Sequence, residues 1–431
     1  MKNHQLSIER YPSYKNSEID WLGVIPAEWT IVRNKEIFKE RSSLSTTGTE
    51  TLLTVSHITG VTPRSEKNVN MFMAETMEGY KICHPGDLII NTMWAWMGAL
   101  GTSNELGICS PSYNVYMPIK GVPYNHKYFD YLFRIPNAIV EMTRNSKGIV
   151  SSRLRLYAKD FFQIETVLPS LQEQKSIAHY LDTKTAQIDR KIGILTQKAT
   201  RYGNLKQSLI NETVTRGRDR SVPMKDSAIE WIGEVPEHWG IKRVKEIFIE
   251  SKNKVGSESS LYKVLSLTMK GVVVRDLENN KGKIPASFDG YQMVQKDNIV
   301  FCLFDIDVTP RIVGYVEQKG IITSAYTIVK SKGSINMKYF YYYFLEQNRN
   351  KSLLSISKTL RSTLNFDNFS LIELPIPPLS EQKAIADYLD TKTTQIDQII
   401  QTINTQIEKL KELRKTLIND VVTGKIKVTE D

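Results

Sequence analysis

The chain has 431 residues, 41% of them hydrophobic and 24% charged, and a formal net charge of +10. That composition suits a soluble globular protein with apolar material for two cores, and the positive balance favours a polyanionic partner, nucleic acid before membrane, because no basic amphipathic helix with a bulky apolar face stands out. Three separated cysteines, Cys83, Cys109 and Cys302, exclude a disulfide framework and a zinc pattern and are expected to be buried and reduced.

The first residues, MKNHQLSIERYPSYKN, lack the apolar stretch of a signal peptide. The most apolar run, Leu88 to Leu100, is broken by Asn91 and Thr92 and is too short to span a bilayer, so a cytoplasmic location is expected. SEIDWLGVIPAEWTIVRNKEIFKE at Ser17 to Glu40 returns 210 residues later as SAIEWIGEVPEHWGIKRVKEIFIE at Ser227 to Glu250, keeping Trp21 and Trp29 as Trp231 and Trp239. A repeat this long is no solenoid unit, so each copy should be a separately cored domain with a connector.

Within the first domain TLLTVSHIT, GDLIINTMW and YNVYMPI read as strands and KYFDYLF (Lys127 to Phe133) as a helix. The second domain answers with YKVLSLTM, NIVFCLF, AYTIVKS and the helix KYFYYYF (Lys338 to Phe344), which predicts an irregular sheet flanked by a few helices without regular βα alternation. Trp94 and Trp96, alternating in TMWAWMG, are expected in the core rather than stacked on bases. Tyr113 in SPSY and Tyr326 in TSAY fit either a core role or a DNA contact.

Base edges are read by Arg, Lys, Asn, Gln, Ser and Thr, and phosphates are gripped by Lys and Arg. The densest such stretch in the first domain is RNSKGIVSSRLR, with Arg144, Asn145, Lys147, Ser151, Ser152, Arg153 and Arg155; the second domain places Lys351, Ser355, Lys358, Arg361 and Ser362 in the equivalent position. Arg153 and Arg361 align at an offset of 208, which fits a phosphate or structural role better than base reading; a solvated face is the alternative for the whole stretch. Further loop candidates are Lys67, Asn68 and Asn70, then Lys270, Arg275, Lys281, Lys283 and Arg311.

EQKSIAHYLDTKTAQID at Glu173 to Asp189 returns 208 residues later as EQKAIADYLDTKTTQID at Glu381 to Asp397, each copy just after proline and opening a helix. Every seventh residue is apolar: Leu181, Ile188, Leu195, Tyr202 and Leu209, then Leu389, Ile396, Ile403, Leu410 and Leu417. A second row, Ala178, Thr185, Ile192 and Ala199 answered by Ala386, Thr393, Ile400 and Ile407, completes a heptad seam. Nearly 40 helical residues make a rod of roughly 55 to 60 Å, and an antiparallel coiled coil between the copies is expected, with Gly193 and Gly203 as weak points where the first helix bends or a partner compensates. The short linker TRGRDRSVP leads straight into the second domain, which lets the domains sit at opposite ends of the pair, an arrangement expected to follow a pseudo-twofold axis.

These features resemble the specificity subunit of type I restriction-modification systems over essentially the whole chain. The residues that carry the resemblance are the two WLG/WIG openings and the paired PSLQEQKSIAHYLD and PPLSEQKAIADYLD helix starts. The resemblance implies an α+β fold: two mixed α/β target recognition domains separated by two long helices forming an antiparallel coiled coil, with a pseudo-twofold internal repeat. The segments are then recognition domain one at 1–168, helical spacer one at 169–218, recognition domain two at 219–376 and helical spacer two at 377–431. It implies that each domain reads half of a bipartite, asymmetric site in double-stranded DNA, and that the helices set the spacing and dock two methyltransferase subunits. Restriction and translocase subunits join in the full complex.

Catalytic motifs are absent. There is no Pro-Pro-aromatic loop for a flipped base, no Gly-rich turn for a methyl donor and no GxxxxGK[ST], and the six histidines have no close metal spacing. His179 is expected at the surface or an interface, and Asp305 and Asp307, which with Glu317 and Lys319 only loosely imitate a nuclease's acid-acid-lysine order, are expected to be solvated or structural. Catalytic residues, metal and cofactors are therefore expected to be none in this chain, with S-adenosylmethionine, ATP and Mg on partner subunits. The alternatives are an enzyme with its own methyltransferase or nuclease activity, and a two-headed protein-binding adaptor.

Overall fold

The computed structural model describes residues 6–66, 75–150, 153–229, 232–279, 284–356 and 363–430. Its contacts divide the chain into two units, the first made of residues 1–195 with 405–431 and the second of residues 196–404. The division cuts both long helices at mid-length, so each unit owns a folded domain, the start of one long helix and the end of the other.

In the first unit the described strands include β1 (Phe38–Glu40), β2 (Leu53–Ser56), β3 (Gly60–Pro63), β4 (Leu88–Asn91), β5 (Leu100–Thr102) and β6 (Tyr113–Pro118). An antiparallel sheet runs β5-β4-β6-β1, and β2 and β3 form a hairpin. Two helices, α1 (His126–Phe133) and α2 (Pro136–Arg144), follow the sheet. α1 starts where Asn125 accepts a hydrogen bond from the Tyr128 amide, an ordinary N-cap, and its aromatic face is buried with Trp29, Phe38, Tyr116 and Phe161. The long helix α3 (Leu171–Arg216) then begins.

The second unit repeats this plan with β7 (Phe248–Ser251), β8 (Leu265–Thr268), β9 (Gly271–Val274), β10 (Ile299–Phe301), β11 (Val313–Tyr315) and β12 (Thr327–Ser331). Its antiparallel sheet runs β7-β12-β10-β11 and its hairpin is β8–β9. The aromatic helix is α4 (Met337–Arg349), capped by Asn336, and the long helix is α5 (Leu379–Val422). The core gathers Trp239, Phe248, Phe301, Tyr339, Phe340, Phe344 and Phe369.

The expected strands and helices are thus present, except that GDLIINTMW leaves the strand at Asn91 and turns through a short 3-10 segment, Ala95–Met97. All three cysteines are buried and free. Two that are far apart in sequence become neighbours, because Lys81–Cys83 pairs with Gly107–Cys109; the adjoining Cys109 and burial push the Cys83 thiol upward.

All ten predicted seam residues are buried or half-buried: Leu181, Leu389, Ile396 and Ile403 are buried, and Ile188, Leu195, Tyr202, Leu209, Leu410 and Leu417 are intermediate. The antiparallel register shows in each unit separately. In the first, Arg414 Nε lies 3.1 Å from Asp189 Oδ1, an ion pair whose angle does not make it a hydrogen bond. In the second, Lys206 Nζ lies 2.6 Å from Asp397. α3 passes through Gly193 and Gly203 without interruption, and a Cβ at either glycine would touch nothing within 4 Å.

The repeated phrases are the joint between domain and helices. In the first unit Trp29 donates to Glu173 at 3.1 Å, and the wholly buried Gln174 accepts from the Asn125 amide at 2.7 Å and donates to the Pro169 carbonyl at 3.0 Å. Asp182 accepts from Lys127 at 2.6 Å and from Tyr131 at 2.9 Å, and Tyr128 donates to the last helical carbonyl of the other long helix, Val422, at 3.1 Å. The second unit rebuilds every contact: Trp239 to Glu381 at 3.1 Å, Gln382 with Asn336 at 2.8 Å and Pro377 at 2.9 Å, Lys338 and Tyr342 to Asp390 at 2.6 and 2.8 Å, and Tyr339 to Val214 at 3.2 Å. The buried members, Gln174 and Gln382 with Tyr128 and Tyr339, fix one geometry, because leaving any of them unpaired costs about 1–3 kcal/mol.

Candidate nucleic-acid interface

Outside the joint, three segments of the first domain converge on Thr92. Its hydroxyl donates to the Ser112 carbonyl at 2.9 Å, which ties in the SPSY turn, and its carbonyl accepts from the Leu156 amide at 3.1 Å, which ties in the basic stretch. The polar Asn91 and Thr92 interrupt an apolar run because the strand must end there. The Asn91 amide side chain accepts from Met93, and the Asn91 main chain bonds to Trp94 and Ala99, folding the loop back on itself. Gly98, at φ +84°, closes it.

The result overturns the core expectation for one tryptophan. Ala95 is buried, Trp96 is half-buried and donates to the Met93 carbonyl at 3.0 Å, but Trp94 is 50% exposed, with Met97 exposed beside it. A turn does not keep the two-residue alternation of a strand, so the two indoles no longer share a face.

The described ends of the basic stretch are pinned together, where Lys147 and Arg155 exchange backbone hydrogen bonds at 2.9 and 2.8 Å. Arg153 and Arg155 are exposed, and Lys147 lies 3.8 Å from Asp160. Arg144, at the end of α2, has Asp20 at 3.3 Å and Glu141 at 3.5 Å. Ser151 and Ser152 lie outside the described residues, as do Lys67, Asn68, Asn70, Lys281, Lys283, Lys358, Arg361 and Ser362.

The second domain makes the same junction from other residues. Leu303 accepts from the Leu364 amide at 2.8 Å, and Phe304 lies parallel to Tyr326 at 6.2 Å between ring centroids. Asp305, at φ +48°, turns the loop, whose Ile306 and Thr309 carbonyls accept from Lys351 Nζ at 2.8 and 2.9 Å. Phe304 and Val308 remain exposed. Lys351 therefore holds the loop from within.

Tyr113 and Tyr326 are half-buried, each against its unit's core, and burial pushes both phenols upward. Arg275 is half-buried, and its charge acts on Tyr326 against that shift. Lys270 is exposed on the β8–β9 turn. Arg311 donates to Val313 O at 3.1 Å, Met269 O at 2.8 Å and Tyr341 Oη at 2.7 Å, so its guanidinium is engaged inside the unit. His179 is exposed. Among the described residues no cluster of three or more His, Cys, Asp or Glu side chains could hold a metal, and no helix is long and apolar enough to cross a membrane.

Exposed Trp94 and Met97, on a loop that Thr92 ties to the stretch bearing the exposed Arg153 and Arg155, suit a surface that neutralises phosphates and places apolar edges against bases. Sequence patterning missed Trp94 and Phe304; the polar pair Asn91-Thr92 inside an apolar run was the signal that the strand breaks there.

The family described as type I restriction modification DNA specificity domain matches residues 236–409. The type I restriction enzyme MjaVIII specificity subunit of Methanocaldococcus jannaschii is 27% identical over 292 residues, covering 63% of this chain and 64% of that relative. The EcoBI specificity subunit of Escherichia coli is 29% identical over 153 residues, 34% of this chain and 29% of that relative. The chain thus spans less than two thirds of either relative's length in these matches. The fold is shared with a chain from a structure of the type I R-M system, at a TM-score of 0.63 and 13% identity over 92% of this chain and 98% of that one. It is shared also with the HsdS subunit of Thermoanaerobacter tengcongensis, at 0.55 and 14% over 95% and 99%.

Proposed function

We propose, from the premise that this chain is a member of the type I restriction-modification specificity-subunit family, that it reads a bipartite, asymmetric site in double-stranded DNA, one half with each domain. The observation that carries this reading is the junction built twice from different residues: Trp94 on the loop that Thr92 ties to Leu156 in one unit, and Phe304 and Tyr326 with Lys351 and Leu364 in the other. Equal scaffolds with unequal tips are what two readers of different sequences require.

The long helices, 46 and 44 residues, set the separation of the half-sites and dock two methyltransferase subunits. Half-site spacing is a matter of protein geometry, since a turn of B-DNA is about 34 Å. Methyl transfer belongs to those partners and cleavage to restriction subunits, with S-adenosylmethionine, ATP and Mg bound there. Exchanging residues 251–374 for the corresponding segment of another family member tests the assignment. Methylation mapping should then show one half-site changed and the other intact; a change in both halves refutes the two-reader arrangement.

A further inference from the structure

Each unit also carries a hairpin whose tip is apolar, exposed and held rigid by an arginine, and the two arginines come from different places in the sequence. In the first unit the β2–β3 turn puts Ile58 outward at 74% exposure. Arg134, at the end of α1, donates from Nη2 to the Ile58 carbonyl at 2.8 Å and pairs with Asp130 at 3.4 Å. Gly60, at φ +68°, lets it approach, since a Cβ there would lie 2.9 Å from Arg134 Nη1. In the second unit the β8–β9 turn puts Met269 outward at 64% exposure, its carbonyl accepting from Arg311 at 2.8 Å, and Gly271 again sits at positive φ, +103°. The position answering Arg134 is Leu345, so the same conformation is enforced by a different residue.

A single exposed Ile or Met is ordinary on a protein surface; what asks for an account is the same mounting built in both units, with an arginine on the tip carbonyl and a positive-φ glycine beside it. Phosphates offer no apolar contact, and unlike the Trp94 and Phe304 loops, which are held by different contacts in the two units, the hairpin tips share the arginine-to-carbonyl bond, the glycine and the aliphatic side chain. One partner met twice does explain the match. In the first unit the hairpin and the long helices wall a shared groove of about 250 Å3 through Thr59, Val61, Asp182 and Arg414, so a body resting on the helices also reaches the tip. The adjoining Leu413 is 53% exposed, and Leu205, its counterpart at the 208 offset, is 52% exposed in the second unit.

We propose that Ile58 and Met269 are matched protein-docking knobs, each inserting into the same apolar pocket of a methyltransferase subunit, with Leu413 and Leu205 as the helix-borne contacts. The inference rests on the reading above and specifies which part of each recognition domain the partner grips. The test is titration of the full-length chain with its cognate methyltransferase subunit, followed by calorimetry and native mass. Ile58→Asp and Met269→Asp should each weaken one of two sites about tenfold or more, the cost of losing one buried aliphatic side chain. The double variant should weaken both. Thermal melting should stay unchanged, since both side chains are exposed in the free chain. Wild-type stoichiometry and affinity in the double variant overturn the proposal, as does a loss confined to DNA affinity, which would make the tips DNA contacts. A wild-type chain that takes up no methyltransferase subunit overturns the underlying reading as well.

Discussion

Asp189 faces Arg414 across two antiparallel helices at 3.1 Å, and its repeat counterpart Asp397 faces Lys206 at 2.6 Å. The same carboxylate position therefore meets the same cation position in both units, which fixes the helix register twice with one rule. Reversing one charge tests it. Asp189→Lys should lower stability by about 0.5–1 kcal/mol, the range of exposed ion pairs, and adding Arg414→Asp should recover most of it. Chemical denaturation of the four combinations checks the coupling, and strict additivity would mean the pair does not fix the register.

Gln382 is the sharper lock. It is 2% exposed, accepts from the Asn336 amide and donates to the Pro377 carbonyl. Gln382→Leu keeps the volume and strands both partners, so unfolding free energy should fall by about 2 kcal/mol or more. Gln382→Glu restores an acceptor but no donor and should recover only part of the loss.

Gly193 and Gly203 lie inside a continuous helix with open space where a Cβ would go. Gly193→Ala and Gly203→Ala should each stabilise the free chain by about 1 kcal/mol, read as a rise in melting temperature. The expected bend or compensating partner is not needed to keep the helix intact.

Alkaline pH should loosen the joint. Burial pushes the Tyr131 phenol up to about 12, with Asp182 adding to the rise. An unfolded tyrosine loses its proton near 10, so the stability held by the neutral phenol is complete below pH 10 and is lost as the pH rises from about 10 to 12. Tyr342 is shifted in the same direction by burial. The decline in unfolding free energy over that window should be shallower in Tyr131→Phe with Tyr342→Phe than in the wild-type chain.

Trp94 gives the reading function a single handle. Trp94→Ala in the assembled complex should weaken DNA binding about tenfold, the scale of one lost base-edge contact, and should relax preference in one half-site alone. Methylation mapping with randomised half-sites reports this; an unchanged profile places the indole outside the interface.

The scaffold was legible in the sequence because it obeys short-range rules. The heptad rows, the aromatic helices and the Glu-Gln-Lys helix starts all encode local geometry, and each repeats. The tips were not. Trp94 was assigned to the core because alternation was extended past Asn91, where the chain had already turned, and Arg311 was read as a loop candidate for DNA contact although the neighbouring Val313 carbonyl and two groups distant in sequence, Met269 and Tyr341, occupy it. Its partners come from strand register and helix placement, which no local pattern records. Tyr113 and Tyr326 fall between the two readings offered for them, half in the core and half out.

The division of the long helices also dictates an order of events during synthesis. The second unit is one continuous stretch and can close on itself as soon as its residues have left the ribosome. The first cannot: Val421, Val422 and Val428 belong to its core, its Tyr128 hydroxyl awaits the Val422 carbonyl, and its strand Leu6–Glu9 pairs with Lys427–Glu430. The domain translated first is thus the last to be finished, and until then Trp29 and the aromatic face of α1 lack part of their cover. A nascent chain arrested before Thr405 should bind chaperones through that half, while its later-made half is already native.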